Sequence, residues 1–502
     1  MKQHLIPISF YFPSLHLSRY GSVLAFLLSG GAMLLPAQYA QSASTSGPAA
    51  SAPRQELTLS SLAAVTPDRP YALDELIDIA EHNNPRSRVA WEQAKQAAEH
   101  AGMARSEYFP HLAGMALIAN EKFINPFPKP LAPQGYTMVE NPSADAGLAL
   151  QYTILDFGRR HARLATQKAL QLASTAHLQR VHQDVAYSVV LAYNNLATAQ
   201  EHLAAMHQIV TTAHTTESAA EAQLANGRAT LPDVLHAKAE TAHTEYELEA
   251  AIGEVEISRV HLREVLGVEP SDAIQIVSPE PPADASQVAT EITELVQQAQ
   301  HDRSDLAALA QRMHAAEQEF KLAQSAYRPT VEFESKGAVR SIWPTVSKQG
   351  GDTLADTTQF VWNVGIRVRL DLFDGGLRKK EILARASEQR EAAEMLREKQ
   401  DEITRETWTA YLHYKTAVRQ QRAAQTLLSA ATVSYQAALE AYGYGVKNLI
   451  DLVTAESQLA EARLADVQAR SAVLTSAATL GYATGGLLQQ PPSTLPVFAA
   501  QP

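Results

Sequence analysis

The constraint that bears hardest on this 502-residue chain is that its second half repeats its first at a nearly fixed offset. Glu75-Leu76, Ala80, His82, Tyr108 and Pro110 recur as Glu294-Leu295, Ala299, His301, Tyr327 and Pro329, displaced by 219 positions. Asp156, Gly158 and Arg160 recur as Asp374, Gly376 and Arg378, displaced by 218. Gly227, Leu231, Asp233 and Ala237 recur as Gly445, Leu449, Asp451 and Ala455 at the same 218. An offset held this tightly means two copies of one structural unit. The fold must build the same elements twice, in the same order.

Most of each copy reads as helix. Leu178, Val181, Val185, Val189, Tyr193 and Leu196 show apolar spacing of three and four. That pattern predicts long helices over about 158–225 and 376–443. Each run of 67 residues, from Arg159 and from Leu377, would make a rod about 100 Å long. A helix crossing a periplasm has that length. Gly227 and Gly445 suit left-handed caps at the rod ends. Returning helices follow at about 231–266 and 449–480, where Thr230-x-x-Asp233 and Asn448-x-x-Asp451 read as capping boxes with Asp in place of Glu or Gln. Shorter helices, Leu73 to Glu81 and Arg86 to Tyr108, precede Pro110, and the second copy stops likewise before Pro329.

After each of these prolines the period changes to two. Phe360, Trp362, Val364, Ile366, Val368, Leu370 and Leu372 are apolar, whereas Asn363, Arg367, Arg369 and Asp371 alternate with them. Strict alternation predicts a strand with one apolar and one wet face. Leu148, Leu150, Tyr152 and Ile154 repeat it more weakly, and His111 to Asn120 and Val331 to Gly337 complete two hairpins, about 109–156 and 329–374. Glu121 to Ala144 and Val339 to Asp356 read as loops between the strands. The segments approach the ~9–11 residues of a tilted membrane strand. An open four-stranded sheet cannot satisfy its edges in lipid, so copies must join to close a barrel. Two copies would give an eight-stranded barrel filled by side chains, and three a twelve-stranded barrel with a lumen.

The ends of the chain agree with export. Lys2 and Arg19 with the apolar run Ser22 to Pro36 read as a secretory signal over 1–42. Ala-, Ser- and Pro-rich residues 43–70 read as a linker, 71–270 and 291–487 as the two repeats, 271–290 as a connector and 488–502 as a tail. Removing the signal takes two positive charges and no negative ones, moving the formal charge from −12 to −14. That balance gives no support to nucleic-acid binding. Cysteine is absent, so disulfides and an acylated N-terminal cysteine are excluded.

At this point the chain resembles the TolC-like outer-membrane efflux protein family. The resemblance rests on Tyr108-Phe109-Pro110 and Tyr327-Arg328-Pro329, on Leu372-Phe373-Asp374-Gly375-Gly376, and on the near-terminal Gly481 to Gly486. The tip motifs Asn226-Gly227-Arg228 with Asp233-Val234-Leu235, and Tyr444-Gly445-Val446 with Asp451-Leu452-Val453-Thr454-Ala455, add to it. It implies a mixed α+β membrane protein: a homotrimer whose twelve-stranded β-barrel continues into a long antiparallel α-helical barrel. It implies an exit duct in the outer membrane of a Gram-negative-type bacterium, docked to a periplasmic adaptor and an inner-membrane transporter. Asp233, Tyr442, Lys447 and Asp451 match the family's periplasmic entrance network, with Lys447 replacing an arginine and Thr454 standing where a second carboxylate is usual. Asn226, Gly227, Arg228, Tyr444, Gly445 and Val446 match its adaptor-docking turns.

The residues leave other readings open. Asp233 and Asp451 sit where a helix dipole favours carboxylates, so capping and gating are both available to them. A soluble periplasmic coiled-coil adaptor or spacer would explain the helices and the signal, though not four alternating segments at duplicated positions. Asp156-Phe157-Gly158 spells a kinase triplet without the glycine-rich loop such an enzyme needs. The 17 histidines are scattered and no His-Glu-x-x-His occurs. No catalytic constellation, cofactor or metal site is predicted. The mixed charges Glu332, Glu334, Lys336, Arg367, Arg369 and Asp371 on the wet face of the strands do not specify a cargo.

Overall fold

A computed structural model describes residues 69–487 apart from 131, 270–273, 280–291, 344 and 347–356, all within the unit that begins at Ser61. The predicted signal, the tail, nearly all of the 43–70 linker and most of the 271–290 connector lie outside the described residues.

Two helical hairpins dominate. Helix α3 (Arg159–Ala225) turns back into α4 (Leu231–Leu266), and α7 (Leu377–Gly443) into α8 (Leu449–Ala483). The returning helices are about half as long as their partners, which leaves the upper parts of α3 and α7 without them. Shorter helices fill that gap: α2 (Pro85–Ser106) packs on α3, and α6 (Ser304–Ser325) packs on both α3 and α7. α1 (Leu73–Asn83) and α5 (Ile292–Asp302) brace the level where α4 and α8 end. Alanine dominates the buried faces, for example Ala162, Ala169, Ala173 and Ala186 of α3. Small side chains there let long helices pack closely over their length.

Each rod starts where a strand ends, and the switch is built the same way twice. Asp156 accepts from the backbone of Gly158 and Arg160 at 3.2 and 2.8 Å and from Arg160 Nε at 2.9 Å. Asp374 accepts from Gly376, Arg378 and Arg378 Nε at 3.0, 3.0 and 2.6 Å. The carboxylate thereby satisfies amide groups that a helix N-terminus leaves unpaired. The kinase-like triplet is this cap.

The near-terminal Gly481 to Gly486 motif closes the middle of the molecule. Tyr482 stacks on Tyr187 of α3 with centroids 4.3 Å apart, and its hydroxyl donates to Asp184 at 2.7 Å. Gly485 adopts φ 79°, and a side chain there would meet the Asp302 carbonyl carbon at 3.1 Å. Gly267, one repeat earlier, makes the same approach to Asn83 at φ 69°.

The sheet runs β2 (His111–Pro126), β3 (Tyr136–Leu155), β5 (Thr330–Ile342), β7 (Thr357–Arg369), all neighbours antiparallel, with the short β6 (Thr345–Val346) also on β3. The first predicted loop is therefore corrected. Residues 121–126 and 136–144 extend the strands, with Glu121 opposite Asn141 and Lys122 opposite Glu140. Prolines suggested irregular backbone there, but Pro142 lies just past the end of β5, which stops opposite Ser143. The Pro142 carbonyl still accepts from the Trp343 amide at 2.9 Å, and its missing N–H falls at the break in pairing between β5 and β6. In the second hairpin β5 runs on to Ile342, and β7 stops at Arg369, so Leu370 to Asp374 leave the strand. Within the connector β4 (Gln275–Ile276) pairs in parallel with β1 (Pro70–Tyr71). Tyr71 and Ile274 are both buried in the core that holds Leu76, Val189, Leu196 and Leu266.

Candidate functional site: the paired helix tips and the sheet faces

Both tips close by the same backbone chemistry. At α3 the amides of Arg228 and Gly227 donate to the carbonyls of Gln223 and Leu224 at 2.8 and 2.9 Å, with Gly227 at φ 68°. At α7 the amides of Val446 and Gly445 donate to Ala441 and Tyr442 at 2.9 Å each, with Gly445 at φ 75°. These are Schellman caps, which need a residue free to enter the left-handed region. They leave Tyr444 and Val446 exposed at 81% and 79%.

The two tip aspartates are used differently. Asp233 accepts from the backbone amide and the hydroxyl of Thr230, at 2.8 and 2.7 Å. Those bonds hold its carboxyl below the usual range. At the other tip Asn448 Oδ1 accepts from the Asp451 amide at 2.8 Å, and the Asp451 carboxylate makes no bond in return among the described residues. Asp233 is a capping group in this structure, whereas the exposed Asp451 carboxylate is uncommitted.

Of the four predicted entrance residues, only Asp233 and Tyr442 come close enough to sense each other. Tyr442 is buried, its hydroxyl has no hydrogen-bond partner, and burial followed by the Asp233 charge pushes its pKa up. The side chains of Lys447 and Asp451 meet neither of them; both residues are exposed. Nearest the tips, the two rods are joined instead by Gln223, which the sequence reading missed. Its buried amide nitrogen donates to the carbonyls of Tyr442 and Gly443 at 3.2 and 2.8 Å, tying α3 to the last turn of α7. The position 218 residues later is Ala441, so the duplication gave no signal for it.

The sheet separates its faces by register. Val331 and Phe333 of β5, Phe360, Trp362, Val364, Ile366 and Val368 of β7, and Leu148 and Leu150 of β3 share one face. Trp362 is 71% exposed and its neighbours similarly so. Water does not tolerate an apolar patch of this extent. On the opposite face Arg340 binds Asp145 through two bonds of 2.7 and 2.6 Å, and Arg367 meets Glu334 at 2.7 Å. Glu332 accepts from Gln151 at 3.4 Å. One face suits lipid and the other an aqueous lumen.

The family model described as outer membrane efflux protein matches residues 76–268 and again 295–486. The chain belongs to that family. Among curated relatives, Protein CyaE of Bordetella pertussis is 28% identical over 421 residues, covering 83% of this chain and 84% of its own. The outer membrane efflux protein BepC of Brucella suis is 22% identical, covering 77% and 79%. The solved outer membrane protein VceC of Vibrio cholerae shares the fold with a TM-score of 0.68 at 21% identity, over 82% of this chain and 96% of that one. This outer membrane efflux protein is therefore a channel rather than an enzyme: an exit duct for efflux or secretion, seated in the outer membrane and reaching into the periplasm.

Proposed function

We propose that three copies of this chain close one twelve-stranded barrel, with four principal strands from each, above a common helical tunnel. The observation that carries this is the pair of free edges: β2 and β7 end the sheet with no neighbour among the described residues. In lipid those backbone groups need partners, and β7 of one copy against β2 of the next supplies them. Heat-modifiable trimers in outer-membrane fractions that conduct in planar bilayers are the expected result. A soluble periplasmic monomer would instead favour the adaptor or spacer reading.

The tips form the periplasmic entrance in this reading, and the exposed turns Asn226 to Arg228 and Tyr444 to Val446 receive a periplasmic adaptor that brings an inner-membrane transporter. Gln223 holds the entrance narrow by joining the rods. Replacing it with leucine removes two bonds to backbone carbonyls, about 1.4 kcal/mol together, so the open tip becomes about tenfold more populated. Single-channel recordings of Gln223→Leu should show the rise, and an unchanged conductance would count against the latch.

Asp451 sets ion preference at the same mouth. Three copies of its uncommitted carboxylate near one axis would collect cations. Asp451→Asn is expected to lower the cation-to-anion permeability ratio, read from reversal potentials in a salt gradient. Asp233→Asn should change the ratio less, because Thr230 already engages that carboxylate.

A further inference from the structure

A second acidic residue near the tips has no role in the entrance described so far. Glu456, seven residues into α8, is 4% exposed, and among the described residues no donor meets either carboxylate oxygen at hydrogen-bond geometry, the Thr216 hydroxyl being the nearby one. The repeat does not demand it: the position 218 residues earlier is Lys238, which is exposed and pairs with Glu221 at 2.8 Å.

Every neighbouring helix turns a polar group toward this carboxyl. From α3 comes Thr216, 1% exposed, and from α7 comes Tyr435, 7% exposed, their hydroxyls 3.3 Å apart. From α4 comes Glu240, whose charge is of the same sign. The cation on its own helix, Arg463, donates instead to the Gln208 carbonyl and the Thr212 hydroxyl at 3.2 and 2.9 Å. No ion pair to Glu456 exists among the described residues. The surroundings are otherwise apolar, with Leu452, Ala455 and Leu459 in the same cluster.

A buried charge without a partner is far costlier than a buried neutral acid. Burial pushes the Glu456 pKa up, the nearby Thr216 hydroxyl offsets part of that, and Glu240 adds to the rise. We propose that Glu456 is a proton-operated wedge in the seam between the two helical hairpins. Protonated, it lets α8 seat against α3 and α7 just above the tips. Ionised, it needs water that the packed seam does not admit, and the hairpins part at the entrance. The sign follows from the raised pKa: packing is fully favourable below the ordinary glutamate value and weakens as pH rises through the elevated one. The inference rests on the reading of the tips as the entrance.

The test is conductance in planar bilayers between about pH 5 and about pH 9, which brackets an elevated glutamate. The wild-type channel should conduct severalfold more at the alkaline end, and Glu456→Gln should stay at the acidic level throughout. A Glu456→Gln channel that keeps the wild-type rise, or a wild-type channel that conducts without pH dependence, overturns the wedge while leaving the duct intact. A wild-type protein that conducts at no pH overturns the entrance reading and the wedge with it. Infrared spectra over the same pH range give a second readout: a protonated-carboxyl carbonyl band that disappears as conductance rises should be present in wild type and absent from Glu456→Gln, and its persistence in the variant counts against the assignment.

Discussion

Replacing Gly147 with alanine is expected to eliminate the assembled barrel. Gly147 of β3 lies opposite Ala338 of β5, and an added Cβ would sit 2.3 Å from the Gly337 carbonyl oxygen and 2.5 Å from Ala338 Cα. Ordinary carbon contacts are about 3.5–4.0 Å, so the two strands would have to separate by more than about 1 Å. Their ladder would break in the middle of the sheet. In lipid each backbone group left without a partner costs several kcal/mol, because no water replaces the lost bond. The measurement is the amount of protein in outer-membrane fractions, expected to fall to near zero for Gly147→Ala. Gly114 supplies the control, since it sits in neighbouring β2 with nothing within 4 Å of an added Cβ. Gly114→Ala should assemble normally, and normal assembly of Gly147→Ala would refute the close approach.

A comparable loss is expected from Arg303→Met. Arg303 is 1% exposed at the start of α6, and its guanidinium reaches Asp305 at 2.6 Å and Glu406 of α7 at 2.5 Å. Burial alone would raise the Asp305 carboxyl, but bonds and charge from Arg303, with help from Arg180 and Lys399, hold it down at about 2. Removing one member of a buried pair leaves an uncompensated charge, typically at a cost of about 3–5 kcal/mol. Lys399, 3.3 Å from Asp305, moderates the loss. The pH dependence should invert. In wild type, Asp305 contributes about 2–3 kcal/mol above the ordinary aspartate value, and this is lost as pH falls toward about 2. In Arg303→Met the buried carboxylate is the liability, so the deficit should shrink as acid neutralises it. Thermal unfolding at neutral and acidic pH checks both signs, and adding Asp305→Leu to Arg303→Met should recover stability at neutral pH.

The duplication explains why much of this was legible and why particular residues were not. Tip glycines, junction prolines and the alternation from Phe360 to Val368 are local signals, and each could be compared with its counterpart. Gln223, Arg303 and Glu456 break the repeat, standing where the other half has Ala441, Asn84 and Lys238. Asn84 shows how different the solutions can be: as a neutral residue it caps α2 through the Arg86 amide at 2.9 Å and donates to the Val265 carbonyl at 2.9 Å. Whether a helical polar residue is buried depends on which helices flank it, and spacing within one helix does not carry that. Within one chain the entrance residues taken from family resemblance do not all meet, for a related reason. Asp233 satisfies Thr230 next to it, and a link across rods had to come from a longer side chain. Proline misled in the first hairpin because its cost depends on which strand edge it faces.

The alternating register of the sheet also bears on how the chain reaches its destination. Apart from Val361, every second residue of the strand Thr357–Arg369 is polar or glycine, and among the described residues no helix is long and apolar enough to cross a membrane. Machinery that halts a passing polypeptide responds to continuous apolar runs of about twenty residues. An alternating strand offers no such run to that machinery. Its greasy surface comes into existence only when pleating sorts alternate side chains to one side, so the membrane it settles in is chosen by folding rather than by hydropathy along the chain.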